Sequence, residues 1–356
     1  MKLNFDQIVT AALAAVPHGP VMASRNLSTR VSPSSRVLAS NGKRALIIHV
    51  NPDGEGHHIE QFLTGYSLLK PFLENKGWEV NNATDNSEWS TKDSLSDVDV
   101  VVHFFSNSLG LDYDDAEKEA FIEWYNSGGK GWVGVHNAGM GEGWPWFFNL
   151  VGAKFRSHPD ATAGVLNFNG PGLEGTVHVE DVLHPATAHL PANMTFEEEW
   201  YNFKFAYEPP QSELQVLLTV GEDSYALSPC YDAYSHEKPE EERTPDSVYE
   251  DCSDHSHGDD HPLAWFHEFE NGRSFYTSLG HNAANWAADD EWLLEHIAGG
   301  MEWAGNLSDM PAMGNSSDQP VTEKSKSGTG MGKEQIATRL LLMTSFTFST
   351  ISYFWA

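Results

Sequence analysis

The sequence predicts an α/β protein built on a doubly wound, mostly parallel sheet, with an added C-terminal β-hairpin and a closing helix. Three observations carry that prediction. Short β-rich apolar runs alternate with helical periodicities in the order strand, helix, strand, strand, helix, strand, the rhythm of a doubly wound sheet. The run Val98-Asp-Val-Val-Val-His-Phe-Phe105 is almost continuously apolar, as a strand covered on both faces must be. Two late strand-like runs flank Glu270-Asn-Gly272, which has the composition of a hairpin turn.

Taken in order, Ala45-Leu-Ile-Ile-His-Val50 reads as the first strand and Asn51-Pro-Asp-Gly54 as its turn. Ile59, Phe62, Leu63, Tyr66, Leu69, Phe72 and Leu73 recur at helical spacing, and Gly77 ends that helix. Trp78–Thr84 and Val98–Phe105 supply the next two strands. Ala116, Ala120, Phe121 and Trp124 mark one side of a second helix, with acids in its first turn where the helix dipole favours them. Gly128-Gly129 stops it, and Gly131–His136 is the fourth strand. After Gly152 come shorter β segments at Gly164–Phe168, Thr176–Glu180 and Leu214–Val220. The hairpin arms Leu263–Phe269 and Arg273–Leu279 follow, then a helix from Asp290 to Trp303. No linker-like break divides residues 43–305, so they count as one domain. Its exception is residues 231–260, an insertion dense in Asp, Glu and His, read as a solvated charged loop whose spacing fits no zinc or EF-hand pattern.

The formal charge of −30 argues against a nucleic-acid partner, because phosphate binding needs clustered Lys and Arg. The ends speak of compartment. Residues 1–23 have a basic start, an apolar run from Ile8 to Val16 and small residues near Ala23, the layout of a signal peptide; a disordered arm is the alternative. Residues 24–42 form a linker and 306–339 a polar spacer. Residues 340–356 are an uncharged apolar tail, expected to attach the protein to a membrane, as a GPI signal or as a C-terminal anchor. Five Asn-X-Ser/Thr triplets, at Asn26, Asn82, Asn193, Asn306 and Asn315, agree with passage through the secretory pathway to the cell surface. There an oxidised Cys230–Cys252 pair would close a loop of about twenty residues, worth on the order of 3 kcal/mol.

The most informative spot for chemistry is Gly134-Val-His136-Asn-Ala138. Small residues two before and two after His136, at the end of a buried strand, reproduce the spacing of a nucleophile elbow. Such a turn presents its central side chain above the sheet, here an imidazole that acts as acid or base, polarises a carbonyl or binds metal. His57 and His58 lie in the first strand-to-helix loop, Asn137 and Trp144 beside the elbow, and His158 in Ser157-His-Pro159. Glu197-Glu-Glu-Trp-Tyr201 puts carboxylates, Glu199 among them, beside the aromatic Trp200 and Tyr201, as sugar-sized pockets often do. His261 opens the hairpin and His281 closes it. The residues name no cofactor and no metal.

The same segments, in the same order, resemble the ThuA-like (trehalose-utilisation) family. The resemblance spans nearly all of Lys43–Gly305 and rests on several motifs. They are Gly128-Gly-Lys-Gly-Trp-Val-Gly-Val-His136-Asn-Ala, Trp144-Pro-Trp-Phe-Phe-Asn-Leu-Val-Gly152, Ser157-His-Pro159, His184-Pro-Ala-Thr187 and Glu198-Glu-Trp-Tyr-Asn-Phe203. His261-Pro-Leu-Ala-Trp265, Gly272-Arg-Ser-Phe-Tyr-Thr-Ser-Leu-Gly-His281 and Gly299-Gly-Met-Glu-Trp-Ala304 complete the set. The resemblance implies a flavodoxin-like fold related to class I glutamine amidotransferases, whose elbow carries a catalytic Cys. Here that position is His136 and both cysteines lie elsewhere, so glutaminase chemistry is excluded for want of its thiolate. It also implies a sugar-like small-molecule ligand. Two functions follow. One is an enzyme acting on a sugar or sugar-derived carbonyl, with His136 and His281 as acid/base or polarising groups and Glu199 as their carboxylate partner. The other is a non-catalytic carbohydrate-binding surface protein. Retention of several ionisable groups at strand ends favours the enzyme, and aromatics with no acid/base pair within reach of each other would favour binding. Whether His136, Glu199 and His281 converge is the observation that bears most on the choice.

Overall fold

The computed structural model describes residues 42–49, 59–83, 90–104, 113–139, 144–159, 172–205, 214–226, 230–232, 249–250 and 255–305. His57, His58, Cys252, the expected strand at 164–168, the leader, the spacer and the apolar tail therefore lie outside the described residues. Among those described, no helix is long and apolar enough to cross a membrane. Asn82 and Asn193 are exposed.

The first half follows the predicted rhythm. Strand β1 (Arg44–Ile48), helix α1 (Ile59–Asn75), β2 (Glu79–Ala83), the single turn α2 (Lys92–Leu95), β3 (Val100–Phe104), α3 (Asp115–Asn126) and β4 (Gly131–Val135) succeed one another. Local chemistry sets the helix ends. Asp114 caps α3 by accepting from the Glu117 N–H while Glu117 accepts from the Asp114 N–H, a reciprocal box worth roughly 1 kcal/mol. The second half continues with a helical turn at His136–Gly139, α4 (Pro145–Val151), β5 (Ala153–Pro159), β6 (Leu173–Val179), β7 (Asn193–Glu198), β8 (Asn202–Phe205) and β9 (Gln215–Gly221). Then come β10 (Cys230–Asp232), β11 (Tyr249–Glu250), β12 (Pro262–Phe269), β13 (Gly272–Thr277), α5 (Ala283–Trp286) and α6 (Trp292–Ala304).

Among the described residues the main sheet has nine strands in the order β2-β1-β3-β4-β13-β12-β9-β6-β7. Its first five are parallel and reproduce the flavodoxin-like order, with β13 in the fifth place. The remaining four run antiparallel, so the added β part is larger than the hairpin alone. Along the parallel strands alternate residues face opposite layers, the period-2 rule of a strand. Ala45, Ile47, Val100, Val102, Val133, Val135 and Phe275 pack under α1 and α6. Leu46, Ile48, Val101, Trp132 and Tyr276 pack with Phe121 and Trp124 of α3 and Phe147 and Leu150 of α4. The second layer is completed by a four-stranded antiparallel sheet, β11-β10-β5-β8. Its Phe155 and Phe203 join the same core.

At its two ends, the described part of it, the insertion is held by pairing and side-chain bonds rather than solvated as a loop. Its first residues form β10, which pairs with β5 in the register Tyr231↔His158. Its last residues are tied down by side chains: Ser157 Oγ bonds His255 Nδ1 at 2.7 Å, and His257 Nε2 accepts from the Phe203 N–H at 3.0 Å. Cys230 is buried and disulfide-bonded.

Candidate active site

Strands β4 and β13 are parallel neighbours, so their C-terminal ends open on one edge of the sheet, where open α/β sheets bind ligands. His136 follows β4 directly, and Ser278-Leu-Gly-His281 follows β13. His136 has φ +56°, unusual for a non-glycine residue and frequent at functional turns. Two contacts hold that turn. Tyr276 donates from its hydroxyl to the His136 carbonyl at 2.7 Å. Gly134 lies so close to the Trp132 ring that a Cβ there would sit 2.2 Å from it. The elbow backbone is present, but the imidazole is not presented to solvent: it is fully buried.

What encloses it comes from the far side of the molecule. Edge strand β7 ends at Glu198, and Glu199-Trp-Tyr201 bridges from the main sheet to β8 of the smaller one. That bridge lays Glu199 and Tyr201 against the strand ends, while β5 of the smaller sheet supplies His158. Glu199 Oε2 lies 3.3 Å from His136 Nε2 and 3.3 Å from His281 Nδ1, and Oε1 lies 3.2 Å from His158 Nε2. The Tyr201 hydroxyl is 2.9 Å from His136 Nε2, and its ring stacks on the imidazole at 4.7 Å. His136 Nδ1 meets the Ser278 carbonyl at 2.8 Å and His158 Nδ1 the Pro159 carbonyl at 3.1 Å. Each of those nitrogens donates, which orients the opposite Nε2 at Glu199.

The electrostatics follow from burial and from this crowding. Burial alone would raise the Glu199 carboxyl. The positive charges available on His158 and His281, with hydrogen bonds from His136 and His281, outweigh it and hold the group well below the usual carboxylate range. Burial, reinforced by the Glu199 charge, pushes the Tyr201 phenol well above its ordinary value, so it keeps its proton and serves as a donor.

Glu198, which sequence reasoning passed over for its neighbour, clamps the cluster together. Its fully buried carboxylate accepts from the N–H groups of Gly280 (3.0 Å), Asn282 (3.2 Å) and Glu199 (3.0 Å), and from Asn285 Nδ2 (3.1 Å). The loop bearing His281 is thereby pinned to the segment bearing Glu199. The signal was visible only as the acidic triplet Glu197-Glu-Glu199, which does not say which carboxylate turns inward.

Other expected site residues stand elsewhere. His261 supports from behind: Nε2 donates to the Tyr201 carbonyl at 2.8 Å while Nδ1 faces Glu222 Oε1 at 2.9 Å and the Tyr225 hydroxyl at 3.0 Å. Trp200 is wholly buried in the core between Phe196 and Tyr225. Trp144 stacks with Trp146 and Phe147 over α3. Trp200 offers no platform at the cluster, because its ring is consumed by packing, whereas Trp144 is half-buried against the second core. Asn137 is buried in the turn beside His136, and its Oδ1 makes no hydrogen bond among the described residues.

Residues 44–304 match the family model described as trehalose utilisation, and the chain belongs to that ThuA family. Among solved structures it is similar to a ThuA-like protein from Bacteroides uniformis, at 22% identity and a TM-score of 0.51, over 77% of this chain and 95% of that one. It is also similar to a ThuA-like protein from Parabacteroides merdae, at 21% identity and a TM-score of 0.47, over 74% and 90%. The first likeness supports the fold. No curated protein matches the chain.

Proposed function

We propose that the protein is an enzyme acting on a sugar or sugar-derived carbonyl compound by proton transfer and carbonyl polarisation at the His136–Glu199–His281 cluster. One observation carries the reading: three imidazoles and a proton-bearing phenol meet on a single buried carboxylate. Residues used only for sugar recognition would favour exposed rings and neutral donors, whereas titratable groups driven together in a low-dielectric site are the mark of acid–base chemistry. The roles follow from the hydrogen bonds. Tyr201 donates toward a developing negative oxygen, His136 and His281 polarise the carbonyl and move protons, and Glu199 is the counter-charge that sets their protonation. The sugar class rests on the family's association with trehalose use.

The test is turnover of a panel of glycosides and keto-sugars by the parent, Glu199→Gln and Tyr201→Phe, both near-isosteric. Each variant is expected to lose about 100-fold or more in kcat/KM while melting within a few degrees of the parent. Binding without turnover by the parent, or full activity in both variants, would overturn the reading.

A further inference from the structure

We propose that His136 Nε2, His281 Nδ1 and Glu199 Oε2 form a three-ligand site for one divalent transition-metal ion, of the kind that leaves a position open for a substrate oxygen. The inference deepens the acid–base reading and rests on the same side chains.

Geometry comes first. The three donor atoms are all buried and lie within 4.8 Å of one another, two of the separations being 3.3 Å. A tetrahedral ion bound at about 2.1 Å holds its ligands about 3.4 Å apart, close to those two edges. The third edge, between the two imidazole donors, is longer, up to 4.8 Å, so the rings turn inward by up to about 1.4 Å to seat a tetrahedral ion.

Second, the surroundings are those of ligands held for a metal. The far nitrogen of His136 donates to the Ser278 carbonyl, so that in the neutral ring the Nε2 lone pair faces inward, open to a metal; such backbone-anchored imidazoles recur around metal sites. The second oxygen of Glu199 is held by His158, leaving Oε2 for the ion. Glu198 fastens the two segments that carry Glu199 and His281. Third, the donor set is mixed, with two imidazole nitrogens and one carboxylate oxygen. Two imidazoles and one carboxylate suit zinc or a neighbouring first-row ion rather than calcium or magnesium, which take oxygen ligands. The ion would polarise a carbonyl or hydroxyl oxygen, with the Tyr201 hydroxyl beside the open position.

The probe is Co²⁺ alone. The full chain is stripped of metal with chelator and titrated with Co²⁺ without substrate, following bound metal by elemental analysis and visible absorption. The expected result is one equivalent with the absorption of a low-coordinate ion, weakened more than about 10-fold in both Glu199→Gln and His281→Gln. In His178→Ala, on β6 away from the cluster, binding is unchanged. Absence of uptake by the unaltered chain overturns the site, as does uptake that survives in both variants, which would mean that the ion binds elsewhere. Should a variant fail to melt cooperatively, the other variant and the stoichiometry of the parent decide. Because no substrate is needed, a chain that binds Co²⁺ at this site yet turns nothing over upholds the metal and overturns the acid–base reading. A fully active metal-free chain does the reverse.

Discussion

Glu222 displays, in one side chain, how the site is braced from outside. Its carboxylate accepts from Ser256 Oγ and from the His257 and Gly258 N–H groups and meets His261 Nδ1. It thereby joins the end of the acidic insertion to the histidine that supports Tyr201. Burial alone would raise this carboxyl, but the bonds from His261, Ser256 and His257 hold it down at about 2. A depressed carboxyl stabilises the folded state fully above its unfolded value of about 4.5, and that stabilisation is lost as the pH falls toward about 2. Glu222→Gln is therefore expected to lose ~2 kcal/mol near neutral pH, and the gap from the parent should close as pH falls from about 4.5 to 2. Urea unfolding of both proteins across that range checks it. A gap independent of pH would mean that the carboxylate charge is not what holds the insertion.

At the scale of elements, the decisive object is the β4 turn. Strand β4 is buried on both faces, and Trp132 of its second-core face folds back across Gly134 beside Tyr276 of β13. A methyl group at position 134 would meet the Trp132 ring at 2.2 Å and the Tyr276 ring at 2.9 Å. Both rings are fully buried. Gly134→Ala is expected to cost ~3 kcal/mol by overpacking. It should also disturb the Tyr276 bond to the His136 carbonyl, so activity falls further than stability alone explains. Thermal melting paired with turnover measures both. An unchanged melting temperature would show that the rings give way more easily than their burial implies.

Across the whole molecule, ten histidines among the described residues are buried. Burial lowers His103, His257 and His296 to about 3 and His49, His184 and His267 to about 4. Most have neutral partners: His103 accepts from Trp132 Nε1, and His296 and His267 bond backbone carbonyls. A lowered histidine binds its proton in the unfolded chain first, so stability is full above about 6.5 and declines as the pH drops toward the folded values. Surface carboxylates begin to titrate only near about 4. Between pH 6.5 and 5 the melting temperature is therefore expected to fall steadily, the histidine slope being uncovered there. Melting in a pH series at constant ionic strength tests it. A flat profile over that interval would mean that these histidines are hydrated enough to titrate normally.

The sequence by itself determined the elements of the parallel half, because a strand buried on both faces and a one-sided helix each leave a local pattern. It also marked His136, Glu199 and His281, since Gly134 and Ala138 flank one, an acidic–aromatic run holds another and a hairpin end the third. Tertiary structure alone decided that they meet. The fifth parallel place goes to β13, which follows β4 only after the antiparallel strands and the second sheet have been laid down. Glu199 reaches it from an edge strand of the same sheet by bridging to the other. Such pairings depend on closure of long chain segments, and no residue-to-residue pattern records them. The same holds for the inward turn of Glu198 and for Trp144 and Trp200. An aromatic side chain has one local signature, and whether it lines a site or fills a core is settled by which surface arrives against it.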